Sequence, residues 1–127
     1  MLVLNPLTAT RIVATPDALD AAAWPADALA LRTAPDELVV MPAQGSVSLS
    51  DPHAIVIADG SLTAGWVDEA DGLHFLAHSC EWEIPESRPC FAQGQIAGFP
   101  VKLWLTDGRI LFIVESAFAE DFMEDWR

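Results

Sequence analysis

Polar and apolar residues take turns from Leu2 to Thr15 without a firm period, and the first clear signal comes just after them. Pro16 and Asp17 introduce Ala18 to Ala23, a run that favours helix. Thr15 or Asp17 can cap it, Pro16 suits its first turn, and Pro25 stops it. Leu29 to Met41 reads as a hairpin with its tip at Pro35-Asp36 and a buried second arm, Leu38-Val39-Val40-Met41. Residues 42–52 hold Pro42, Gly45 and Asp51-Pro52 without an apolar face, and read as a loop.

From His53 the pattern strengthens. Ala54-Ile55-Val56-Ile57-Ala58 is a continuous, β-branched run that predicts a strand ended by Asp59-Gly60, with a second strand over Leu62 to Val67. Residues 68–80 predict a helix. Leu73, Leu76, Ala77 and Cys80 recur there at i, i+3, i+4 and i+7, and Asp68, Glu69 and Asp71 sit at the positive end of the helix dipole. Residues 81–94, with Pro85, Pro89 and Gly94, predict a loop that must anchor Trp82 and Phe91. Gln95 to Leu105 and Arg109 to Glu115 predict two strands joined by Thr106-Asp107-Gly108. A closing helix from Ser116 to Trp126 sets Phe118, Phe122, Met123 and Trp126 opposite Glu120, Asp121, Glu124 and Asp125. This order of elements predicts an α+β fold with helices packed on one face of an antiparallel sheet.

The 127 residues predict a single domain, and 52% apolar residues are enough to fill one core without disulfides. Six Lys and Arg against nineteen Asp and Glu leave a net charge of −13, which repels phosphate backbones and anionic lipid and argues against nucleic acid and membrane partners. The start of the sequence has no signal-peptide pattern and no eighteen-residue apolar window exists, so the expected location is the cytoplasm, with Cys80 and Cys90 as thiols.

Candidate chemistry centres on His74, His78, Cys80 and Cys90. Two His at i and i+4 share a helix face, as zinc sites often require, and a cysteine nearby could close the shell. Against this, Cys80 falls on the apolar stripe, and neither a Cys-x-x-Cys knuckle nor a His-Glu-x-x-His helix is present. The preferred reading is a structural thiol beside two solvated histidines, hence no metal. Cys80 or Cys90 with His78 is the one local nucleophile–base combination; no Gly-x-Ser-x-Gly elbow occurs, and Gly94 to Gly98 lacks the lysine of a phosphate loop. Acid pairs such as Glu81 and Glu83, or Asp121 and Glu124, read as solvated surface in so acidic a chain. Of the five tryptophans, Trp66, Trp104 and Trp126 lie on regular elements; Trp82 either plugs this fold's own core or docks on a partner.

Several segments carry a resemblance. Ser79-Cys80 with Trp82, Ile84 and Pro85, then Cys90-Phe91-Ala92-Gln93-Gly94, then Pro100-Val101-Lys102-Leu103-Trp104, and finally Phe112 to Ala119 with Phe122 to Trp126, resemble the gamma subunit of heterotetrameric sarcosine oxidase, a small relative of the aminomethyltransferase fold. Leu31-Arg32 with Ala34 to Leu38 resembles that family's Pro-Asp-Glu strand. Residues 53–127 match best and 1–52 diverge; Glu81 and Glu83 alter its Cys-Pro-Leu-Asp box, and Glu115 stands where the family has Arg.

The resemblance implies a ferredoxin-like α+β subunit with no cofactor and no catalytic residue of its own. Its partners would be large chains bearing the flavin, NAD and folate-linked chemistry, or a second copy in a homodimer. Trp82, Phe91, Phe122 and Trp126 are the expected docking residues. The alternative it leaves open is a folate- or one-carbon-related small-molecule binder or small enzyme, with a pocket on His74, His78 or Glu83.

Overall fold

Strand-forming sequence reaches further into the chain than the pattern predicted. The structure, a computed structural model, describes residues 2–126. Its elements are β1 (Asn5–Val13), α1 (Pro16–Ala21), β2 (Leu29–Ala34), β3 (Glu37–Met41), β4 (Ile55–Asp68), α2 (Glu69–Ser79), β5 (Cys90–Ile96), β6 (Phe99–Leu105), β7 (Arg109–Glu115) and, after a 3-10 turn at Ser116–Phe118, α3 (Ala119–Trp126).

The expected ferredoxin-like α+β arrangement with helices packed on one face of a sheet is overturned. Seven strands dominate and only 22% of the chain is helical. Three local features shift the balance. The N-terminal segment with no clear period is a nine-residue strand, β1. Asp59-Gly60 does not turn the chain, so the two strands expected between Ala54 and Val67 are one fourteen-residue strand, β4. Residues 90–94, expected in a loop, belong to β5.

The chain forms two compact units. In the unit Leu7–Gly60, β3 pairs antiparallel with both β1 and β2, with Ile12 opposite Leu38 and Thr10 opposite Val40. Ile12, Leu38 and Val40 form a small core with Ala14 and with Ala18 and Leu19 of α1. The expected cap is present: Ala18 N donates to Thr15 Oγ1 at 3.3 Å, with Pro16 in the first turn. The loop after β3 is tied down rather than loose. Gln44 N donates to Thr10 Oγ1 at 2.7 Å, while Thr15 N and His53 N donate to the Asp51 carboxylate at 3.0 and 2.8 Å. Arg11 spans Glu37 and Asp59, at 2.9 and 2.7 Å.

The second unit takes the residues up to Pro6 and the chain from Ser61 onward. Here β4 pairs with β7, β7 with β6 and β6 with β5, all antiparallel. The β5–β6 turn is made by Ala97 and Gly98, both at positive φ, and the β6–β7 turn needs Gly108 at φ +90. Strict alternation sends Val67, Ile110, Phe112, Val114, Leu103 and Ala92 to one face, where α2 and α3 cover them with Phe75, Leu76 and Phe122.

The buried side of α2 also differs from expectation. It consists of Gly72, Phe75 and Leu76, whereas Leu73 is 38% exposed and Ala77 is exposed. Gly72 faces β7 at close range: a Cβ there would lie 2.9 Å from Ile110 Cδ1, so glycine lets the helix approach the sheet without moving that side-chain tip. The turn that follows brings Phe75 edge-on to Phe112 and Phe122 and stacks it on Trp126, with centroids 4.2 Å apart.

Candidate functional site: a histidine-lined cleft and an exposed isoleucine row

Because Gly72, Phe75 and Leu76 face inward, the next stripe of α2, Asp71, His74 and His78, lines the outer side of the helix. Spacings of three and four residues stack these side chains along one edge. The imidazoles of His74 and His78 lie 4.9 Å apart at 58°, and both are exposed. The His78 ring donates from Nδ1 to the backbone carbonyl of His74 at 2.9 Å, so Nε2 is the nitrogen left open to another partner. From α3, Asp125 and Trp126 complete an open cleft of about 410 Å³ whose floor is Phe75. A second opening of about 550 Å³, lined by Glu81, Trp82 and Gln95, shares His78, Ser79 and Asp125 with the first. Glu83 lines neither of them.

The cysteines stay out of this cleft. Cys80 is half-buried and donates its thiol to the Trp82 carbonyl at 3.3 Å. Burial pushes its pKa up, which opposes the thiolate that a nucleophile or zinc ligand needs. Cys90, at the start of β5, donates to the Phe91 carbonyl at 3.5 Å. Among the described residues no three His, Cys, Asp or Glu side chains are arranged to hold a metal ion. His74 and His78 are therefore brought together, and Cys80 and Cys90 do not join them.

The expected docking residues are mostly occupied within their own unit. Trp82 packs its ring over Gly94 and donates Nε1–H to the Gln95 carbonyl at 2.9 Å. Phe91 is half-buried and lies directly across from Trp104 in the β5–β6 ladder. Phe122 is 0% exposed and Trp126 is half-buried against Phe75. Trp66, 39% exposed, carries Arg109 over its ring at 4.2 Å.

The most conspicuous exposed apolar feature lies elsewhere, at the start of β4. Ile55, Val56 and Ile57 are 57%, 43% and 51% exposed. Successive residues of a strand point to opposite faces, so exposure of all three means that both faces of this segment meet solvent. The sequence held the signal, a continuous β-branched run that predicts a strand, but such a run ordinarily marks a strand buried on both sides and so does not announce exposure.

No protein-family model matches the chain, and no curated protein matches it either. Among the described residues, no helix is long and apolar enough to cross a membrane.

Proposed function

We propose that this chain is a cytoplasmic protein-binding subunit without a catalytic centre of its own, the assembly role that its resemblance to the sarcosine oxidase gamma chain implies. The observation that carries the reading is the exposed Ile55-Val56-Ile57 row. Three β-branched side chains in water, Ile55 and Ile57 on one face of the strand and Val56 on the other, cost roughly 1 kcal/mol or more each relative to burial, and such clustered apolar exposure marks interaction sites. The partner surface is apolar at its centre and basic at its rim, matching a chain of net charge −13. The large chains of such an assembly would bear the flavin and dinucleotide chemistry.

The test is co-purification of the tagged chain from its own cell, beside an Ile55→Lys/Ile57→Lys variant. The reading expects a flavin-bearing chain in equal amount with the wild type and its loss from the variant, with the variant's melting transition unchanged. A wild type that elutes alone, or a variant that retains the partner, contradicts it.

A further inference from the structure

We propose that His74 and His78 form a two-imidazole site for a first-row divalent transition-metal ion such as Zn²⁺ or Ni²⁺, with Asp71 one turn before them. The inference stands apart from the protein-binding reading and rests on the α2 cleft alone.

The geometry suits a shared ion. A metal lies about 2.0–2.1 Å from each imidazole nitrogen, and the nitrogen about 1.1 Å from its ring centre, so two ligands subtending about 90–110° have centroids about 4.5–5.2 Å apart. The two rings are 4.9 Å apart. The hydrogen bond from His78 Nδ1 to the His74 carbonyl selects the tautomer in which Nε2 is the ligand, the role that partners behind metal-binding histidines ordinarily play. Both rings are exposed on one edge of a helix whose other side is anchored by Phe75 and Leu76, so an ion can reach both.

Charge favours the same ligand class. Asp71 and Asp125 face the cleft, and neither forms an ion pair among the described residues. Imidazole selects transition metals over Mg²⁺ and Ca²⁺, which prefer oxygen ligands. Two protein nitrogens leave the remaining positions to water, in keeping with the lack of any three-ligand group among the described residues.

Calorimetric titration of the whole chain with ZnCl₂ or NiCl₂ in excess Mg²⁺ tests the proposal, the Mg²⁺ masking binding by carboxylates alone. Saturable one-to-one binding is expected, weakened about tenfold or more by His74→Ala or by His78→Ala and unchanged by His53→Ala. Unaltered affinity in the His74→Ala/His78→Ala variant, or no saturable binding by the wild type, overturns it. Should a variant fail to fold, zinc protection of the wild type against histidine acylation decides the matter. His74 and His78 are expected to be shielded while His53 reacts, and equal reactivity of all three overturns the proposal.

Discussion

The indole of Trp82 covers Gly94 so closely that a Cβ on that glycine would lie 2.8 Å from the ring. With Nε1 bonded to the Gln95 carbonyl, the side chain is a lid on β5, held by contact and by a directional bond. Gly94→Ala is expected to lift the ring and cost about 1–3 kcal/mol in urea unfolding, and Trp82→Ala about 2 kcal/mol. A Trp82→Ala protein that melts like the wild type but loses its partner would return Trp82 to the interface.

Two other glycines separate a rigid neighbour from a yielding one. A Cβ at Gly65 would meet the backbone carbonyl oxygen of Val3 at a distance no structure tolerates, so Gly65→Ala is expected to cost about 3 kcal/mol or more. At Gly72 the nearest atom is the flexible tip of Ile110, and alanine gains about 1 kcal/mol of helix propensity, so Gly72→Ala should stay within about 1 kcal/mol of the wild type. Denaturant midpoints of the two variants check the contrast; equal losses would contradict it.

The acid limb of stability follows from two carboxylates. Backbone N–H groups of His53 and Thr15 hold Asp51 below its ordinary pKa, and the hydrogen bond from Arg88, joined by Gly108 N–H, does the same for Glu69. Each is more acidic folded than unfolded. Its contribution is therefore complete above the ordinary carboxylate pKa, about 4, and is lost as pH falls through the depressed value. Urea midpoints should drop on acidification below about pH 4, and less steeply in Asp51→Asn or Glu69→Gln; slopes identical to the wild type would contradict the assignment.

Arg11 bridges Glu37 and Asp59 from near the end of β1, and Glu37 also accepts from Thr33 Oγ1 at 2.6 Å. Arg11→Met leaves two partly buried carboxylates without their shared cation, and is expected to cost about 1–3 kcal/mol. Removing Glu37 and Asp59 as well, as Gln and Asn, should recover part of that loss in a thermal melt. No recovery would mean that packing of the arginine stem, not charge, sets the cost.

Much of the fold was legible where local chemistry decides it. Thr15-Pro16 started α1, Asp107-Gly108 turned β6 into β7, and the aromatic stripe of α3 found the core, because caps, turns and amphipathic faces act over a few residues. The expected hairpin over Leu29 to Met41 formed for the same reason. The failures lie where tertiary pairing overrides local preference. Asp59-Gly60 carries a turn signal, yet Asp59 is engaged by Arg11 and the strand runs straight through. The buried stripe of α2 differs from the expected one because it includes Gly72, which packs against Ile110 yet carries no apolar side chain for a hydropathy pattern to register. Of the candidate site, the i, i+4 histidine pair was visible from spacing. The Ile55-Val56-Ile57 row was hidden because its composition is that of a buried strand.

The protein-binding account is tested most directly by a photoreactive benzophenone side chain at Val56, irradiated in the native cell, with the same probe at exposed Glu86 as control. The account predicts a discrete crosslinked species of one other chain from position 56 and none from position 86. Uncrosslinked protein from both positions, or the same species from both, would contradict the claim that this row is where the chain meets its partner.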